Sequence, residues 1–278
     1  MQFDLVIQGP HIDDAQIEAL ARLSRAARWR RLGPGAARLT GPDRSADIAG
    51  ACAGLEFDHA FVPANARLAD FGLVAMDMDS TLINIECIDE LADMAGIKSQ
   101  VAQITASAMR GEIEFVESFT RRTALLAGLQ ASALQRVWDE RLALSPGAER
   151  MIAELKARGI RTLLVSSGYA FFTERLKTRL GLDFIASNEP EMSEGRLTGR
   201  ILGRVLDAGG KAETLRRVRG DLDLAPQQVI AIGDGANDLA MMAEAGVSIA
   251  YHAKPVVRQK ATYSFNHVGL DGLLNLFL

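Results

Sequence analysis

The feature that most constrains this chain is a short apolar run, residues 71–76, that stops abruptly at Asp77-Met78-Asp79-Ser80-Thr81. A run of that length bounded by acidic residues matches a buried parallel strand that has reached the functional end of a sheet. Residues two apart in an extended chain project to the same side, so Asp77 and Asp79 are expected to face one site. Comparable runs follow at 160–165, 229–232 and 247–250, separated by helical patterning such as that of 151–158. Strands alternating with helices imply a parallel sheet with right-handed crossovers. Ligands of such sheets bind beyond the carboxyl ends of the strands, so the residues just after each run are the candidates for chemistry.

The segment from 88 to about 142 holds no strand-like run, and Ile104, Ala108, Ile113, Val116 and Phe119 recur at helical spacing, which marks a helical insert. Residues 189–206 alternate about Gly195, the pattern of a β-hairpin projecting from the sheet. The first 70 residues read as a strand at 3–7, a helix from Asp14 to about Ala27, a Gly/Pro-rich stretch over 33–42, a short helix and a strand near Phe61. Residues 63–70 read as a linker. The expected fold is α/β: an open, parallel, Rossmann-like core from 71–85 and 146–278, a helical cap over 86–145, and a small α+β accessory unit over 1–70. With 48% hydrophobic residues in 278, the chain can bury cores for about two domains.

Composition excludes several functions. A formal charge of -4 with both signs interspersed leaves no basic run able to track a phosphate backbone, so nucleic acid is not an expected partner. No apolar run approaches the roughly 18 residues that span a bilayer, and residues 1–10 lack a basic stretch followed by an apolar one. No membrane partner and a cytoplasmic location are expected. Cys52 and Cys87 lie outside any ligand-spaced pattern and are expected to be buried small residues, neither a disulfide nor a zinc site.

Four strand or helix edges carry polar groups that suit one task. Asp77 and Asp79 follow the first run, and Ser166-Ser167-Gly168 follows the second, near the start of a helix whose N-terminus attracts phosphate. Gly209-Gly210-Lys211 opens a later helix, and Gly233-Asp234-Gly235-Ala236-Asn237-Asp238 follows the run at 229–232. Each has a plain structural reading on its own: solvated loop acids, an N-cap serine, a surface lysine, and an Asp238 that opposes a helix macrodipole. Jointly, carboxylates from two strand ends supply hard oxygen ligands suited to Mg²⁺. Ser166 and Lys211 supply the hydrogen bond and the charge that a transferring phosphoryl group needs.

In this order, DMDST, a serine before a glycine, a helix-opening lysine and GDGAND resemble the four motifs of the haloacid dehalogenase superfamily. Residues 77–86 together with GDGANDLAM are similar to its phosphoserine phosphatase branch, and the resemblance spans roughly residues 71–260. It implies hydrolysis of O-phospho-L-serine, the last step of serine biosynthesis, with Asp77 as nucleophile and Asp79 as proton donor and acceptor. Mg²⁺ would be held by Asp77, the backbone carbonyl of Asp79 and Asp234, with Asp238 supporting from outside. Ser166, the Ser167 N–H, Lys211 and Asn237 would hold the phosphoryl group. Glu86 would meet the substrate ammonium and Arg122 its carboxylate, and Met109 and Phe115 would wall the pocket, although core packing explains the last two almost as well.

One departure stands out: the family usually has Ser-Gly-Gly where this chain has Ser166-Ser167-Gly168. Two alternatives remain at this stage, phosphoryl transfer to an alcohol such as homoserine and a non-catalytic amino-acid sensor. The intact Asp77 and Asp79 argue against the sensor. Longer members suggest a degenerate regulatory or dimerising module for residues 1–70. Nothing there names a ligand, so packing or a homodimer is the expectation.

Overall fold

The computed structural model describes residues 2–277. At the N-terminus, β1 (Phe3–Gln8), α1 (Asp14–Leu23), β2 (Arg28–Gly33), β3 (Ala36–Thr40), α2 (Ile48–Cys52) and β4 (Asp58–Pro63) build an antiparallel sheet ordered β2-β3-β1-β4, covered by its helices. The strand period of two sorts its apolar side chains. Leu5 and Ile7 pack on Ile17, Leu20 and Ile48, whereas Val6, Ala60 and Val62 join the core of the remaining chain.

Two expectations for this region are corrected. α1 ends at Leu23 rather than near Ala27, because Ser24 Oγ bonds back to the Leu20 carbonyl at 2.7 Å and Arg25 turns left-handed at φ 53°. The Gly/Pro-rich stretch is no simple loop, since β2 and β3 pair around Gly33-Pro34-Gly35. The charged Arg28, Arg30 and Arg31 hid this strand; they sit on an exposed sheet edge, where charge discourages pairing with another chain.

The second sheet starts with β5 (Leu73–Met76). The chain then leaves it through helices α3 (Cys87–Met94), α4 (Lys98–Met109), α5 (Phe115–Ala124) and α6 (Ser132–Glu140). It returns as α7 (Ala148–Ala157), β6 (Arg161–Tyr169), α8 (Ala170–Leu180), β7 (Phe184–Ser193) and β8 (Arg196–Leu202). α9 (Ala208–Asp221), β9 (Val229–Gly233), α10 (Leu239–Met242), β10 (Val247–Tyr251), α11 (Pro255–Arg258), β11 (Tyr263–Phe265) and α12 (Leu273–Leu276) complete it. The order is β11-β10-β9-β5-β6-β7-β8, with every pairing parallel except that of β7 with β8. Val74, Met76, Ile230, Ile232 and Leu164 face the layer holding Met151, Leu155 and Leu176. Leu73, Ala75, Val229, Ala231 and Leu163 face the layer of Leu215, Val218 and Met241. This two-sided burial is why the strands read as continuous apolar runs.

The hairpin expected at 189–206 is β7 and β8, but β7 also extends the sheet, running parallel to β6 before it turns. β11, only three residues long, carries no sequence signal. The two crossings between sheet and helices are zipped together. The Asn84 N–H donates to the Ala143 carbonyl at 3.0 Å, and the Ser145 N–H donates to the Leu82 carbonyl at 3.0 Å. The inserted helices rest on β8 through Gly128 N–H to the Leu197 carbonyl at 2.8 Å. Gly199 makes that approach possible, since its φ is +81° and a Cβ there would meet the Ala124 carbonyl oxygen at 3.0 Å. Among the described residues no helix is long and apolar enough to cross a membrane, and Cys52 and Cys87 are buried and unpaired.

The N-terminal sheet docks through buried charge. Arg38 Nη1 meets Asp4 at 3.3 Å, while its Nη2 donates to the Leu276 and Asn275 carbonyls at 2.8 and 3.2 Å. Asp58 accepts from the N–H groups of Asn266, His267 and Val268 at 2.8, 2.9 and 3.2 Å. Truncating it strands these donors, so Asp58→Ala should lower stability by about 3 kcal/mol, and Asp58→Asn, which keeps one acceptor, by less. Urea denaturation midpoints check both.

Candidate active site

Register brings the site together. Met76 pairs with Ile232 on one side and Leu164 on the other, so Asp77, Asp234 and Ser166 emerge side by side from neighbouring strand ends. β5 lies between β9 and β6, where successive connections diverge to opposite sides, the place where α/β sheets open a crevice. After Asp77 the chain makes a wide turn over Met78–Leu82, closed by the Ile83 N–H to the Met78 carbonyl at 3.0 Å, with Ser80 left-handed at φ 55°.

Lys211 reaches this point from α9. Asp207 caps the helix by accepting from the Gly210 N–H at 2.8 Å, which sets the first turn and sends Lys211 inward. Its ammonium is fully buried, bonds to Asp77 Oδ1, and donates to Asp238 Oδ1 at 2.8 Å. Asp238 also accepts from the Asp234 and Gly235 N–H groups at 3.2 and 3.0 Å, locking the turn after β9. Gly233 permits this, because a Cβ there would sit 2.5 Å from that of Asp238. The surface reading of Lys211 is thereby excluded.

Burial, and then the charge of Asp238, push the Asp77 carboxyl well up from its usual range, against the pull of Lys211. Burial and Asp238 likewise raise Asp234 to about 6, opposed by Lys254 and by a Thr81 hydroxyl donating at 3.2 Å. Asp79, raised chiefly by burial, accepts from the Cys87 N–H at 2.9 Å and faces Ser166 Oγ at 3.4 Å. Asp77, Asp234 and Asp238 bring one carboxylate oxygen each within 4.8 Å of one another. One ammonium cannot neutralise these acids, and the surplus negative charge on hard oxygen donors fits a divalent cation such as Mg²⁺.

The cavity above this cluster measures about 480 Å³. Asp77, Asp79, Lys211, Asp234 and Asn237 form its floor with Ser167 and Gly168, while Glu86, Met109, Phe115 and Arg122 come from the inserted helices. Ser166 and Asp238 are fully buried behind the lining, and Ser166 Oγ accepts from the Gly168 N–H at 2.8 Å. Glu86 still reaches solvent but is held by Ser80 Oγ at 2.7 Å; partial burial and Asp79 push it up to about 7, a shift that solvent access damps. Arg122 Nε, hidden from solvent, has no partner among the described residues. Met109 is 68% exposed, which removes its core-packing alternative. Phe115 does both jobs, lining the cavity and stacking on Phe119, whose ring meets Tyr169 edge-on at 6.4 Å.

Three contributors escaped the sequence reading. Lys254 lines the cavity just beyond β10, a strand whose end had the same claim to attention as the others. Thr81 supports Asp234 from inside the DMDST motif. Buried Asn188 donates to the Ser167 carbonyl at 2.7 Å and accepts from the Leu206 N–H at 2.7 Å, tying the end of β6 to the approach to α9; no sequence signal marked it.

A parallel sheet whose strand ends carry these carboxylates, with helices inserted after the first strand, defines a class. The family model of haloacid dehalogenase-like hydrolases matches residues 71–246, and the chain belongs to that family. Within it the similarity narrows. The chain is 51% identical over 215 residues to a phosphoserine phosphatase of Polaromonas sp., covering 76% of this chain and 91% of that one. The structure of an unliganded probable phosphoserine phosphatase from Vibrio cholerae superposes with a TM-score of 0.86 at 35% identity, covering 99% of this chain and 85% of that one. A phospho-aspartyl intermediate analogue of a phosphoserine phosphatase superposes with a TM-score of 0.70 at 36% identity, over 75% of this chain and 99% of that one. A domain of unknown function matches residues 5–48.

Asn188→Ala should leave the Ser167 carbonyl and the Leu206 N–H buried without partners, costing about 2–4 kcal/mol in a chemical denaturation experiment.

Proposed function

We propose that the protein is a Mg²⁺-dependent phosphoserine phosphatase, converting O-phospho-L-serine to L-serine and phosphate through an aspartyl-phosphate on Asp77. The observation that carries the reading is one cavity holding two adjacent carboxyls, Asp77 and Asp79, beneath a carboxylate and a guanidinium of opposite charge, Glu86 and Arg122. A phosphate monoester that also bears an ammonium and a carboxylate matches all three features. The relatives that carry this activity by name support it.

Asp77 attacks phosphorus in line and expels the serine alkoxide, which takes its proton from Asp79, a carboxyl whose hold on a proton burial strengthens. Asp79 later draws a proton from the water that cleaves the aspartyl-phosphate. Lys211, the N–H of Ser167 and Asn237 stabilise charge on the equatorial oxygens; Ser166, expected to join them but buried behind the lining, instead holds the Gly168 N–H and Asp79, and Asp238 fixes Lys211 and the metal-holding turn. Asp77, the Asp79 carbonyl and Asp234 would hold Mg²⁺, which would supply charge neutralisation between the two anions. Arg122 offers the substrate carboxylate a planar pair of donors, and Glu86 offers its ammonium an acceptor; Met109 and Phe115 enclose the carbon chain. Chemistry thus belongs to residues 71–85 and 146–278 and selection to residues 86–145. Residues 1–70 serve as a packing unit, with a homodimer as the assembly to test by sedimentation.

Released phosphate measured with phosphoserine should require Mg²⁺ and fall by more than about 10³-fold in Asp77→Asn. Phosphate release that survives both would reject the reading.

Metal affinity should depend on pH in a defined direction. Asp234 binds metal as a carboxylate and rises to about 6 in the metal-free site, so protons compete below that pH. The Mg²⁺ concentration giving half-maximal activity should climb as pH falls through 6.

A further inference from the structure

Arg122 lines the cavity, and its Nε is hidden from solvent with no partner among the described residues. The direction of this guanidinium therefore depends on how α5 is seated. The next residue supplies the seat: buried Thr123 accepts a hydrogen bond at Oγ1 from the Tyr169 hydroxyl at 3.1 Å. Tyr169 is itself fully buried behind the lining and closes β6 directly after Ser167 and Gly168, which form part of the cavity floor. One bond thus joins that floor to the helix bearing Arg122, between residues 46 positions apart.

The other side-chain bonds of α5, Thr120 Oγ1 to the Val116 carbonyl and Arg121 to Glu117, stay within the helix. The backbone bonds from the inserted segment to β8 begin at Gly128, after α5 has ended. Phe119 meets the Tyr169 ring edge-on at 6.4 Å, which brings helix and strand end together. Ring contacts tolerate a broad range of geometries, whereas a hydrogen bond weakens steeply with length and angle, so the hydroxyl pair is what fixes the rotation of the helix. Burial pushes the Tyr169 phenol up to about 12, against the pull of Thr123 and of the Arg122 charge, so it keeps its proton and remains a donor at neutral pH.

We propose that Tyr169 is a positioning residue for substrate selection: through Thr123 it holds α5 in the rotation that presents Arg122 to the substrate carboxylate, without touching the substrate. This rests on the phosphoserine reading of Arg122 and deepens it. A guanidinium pairs with a carboxylate through two parallel bonds only in a narrow geometry, so a loosened helix costs binding at that end of the substrate and spares the phosphoryl end.

The test measures steady-state kinetics with phosphoserine, and inhibition by inorganic phosphate, in the full chain with saturating Mg²⁺ for wild type, Tyr169→Phe, Thr123→Val, the double variant and Arg122→Met. Phe keeps the ring that packs on Phe119 and Val keeps the shape of Thr, so each removes little beyond the hydrogen bond. Each single variant should raise KM by about 5-fold with kcat held within about 2-fold, and the double variant should add little to either. Inorganic phosphate has no carboxylate and should inhibit these three variants as it inhibits wild type, an outcome that general loosening of the site would not give. Unchanged KM in both single variants beside a raised KM in Arg122→Met, or weakened phosphate inhibition in step with KM, would overturn the role of Tyr169 alone. Unchanged KM in Arg122→Met, or a wild type that releases no phosphate from phosphoserine, would overturn the reading of the site and this role with it.

Discussion

A single buried ammonium holds the catalytic end of this molecule together. Lys211 is fully enclosed and bonded to Asp77 and Asp238, so three separate stretches, β5, α9 and the turn after β9, converge on one charge. Removing either kind of partner from such a cluster leaves uncompensated buried charge, typically worth several kcal/mol. The cluster is also overloaded with acid: Asp77, Asp79 and Asp234 are all pushed upward by burial. That imbalance fits the proposed binding of a divalent cation and a phosphate together, since each offsets the other's charge.

Around this centre the fold separates two tasks. The end that the proposed function assigns to the phosphoryl group is built from strand ends and helix starts, whose positions follow from sheet register and backbone hydrogen bonds. The end that the proposed function assigns to the amino acid is lined by Glu86 and Arg122, supplied by the inserted segment that joins the sheet through the paired crossings near Asn84 and Ala143. Phe115, Phe119 and Tyr169 link the two halves through aromatic contacts, so the wall of the cavity is continuous with the packing that seats the inserted helices. The N-terminal sheet stands apart from the chemistry. It is anchored by Arg38 and Asp58 to the last strand and terminal segment of the core.

Much of this was legible in the chain itself, for identifiable reasons. β5, β6 and β9 are buried on both faces, so each reads as an uninterrupted apolar run, and Asp77, Ser167 and Asp234, just past those runs, reach the cavity, whereas Ser166 stays behind its lining. Asp77, Asp79, Lys211 and Asp234 were found because their signals are local. Signals were missed where they are not local: β2 carries arginines because it is an edge, β11 is too short for periodicity, and Asn188 matters only through contacts with residues 21 and 18 positions away.

The order of motifs and the alternation of strands and helices thus determined the class of fold and the type of chemistry, because both depend on residue type and spacing along the chain. Tertiary structure decided which groups are spent on one another and which remain for a ligand. Lys211 became an internal counter-ion, Ser166 turned inward, and Arg122 beside the cavity kept an unpartnered donor. Those outcomes depend on burial and on distances between residues remote in sequence, and no local pattern encodes either.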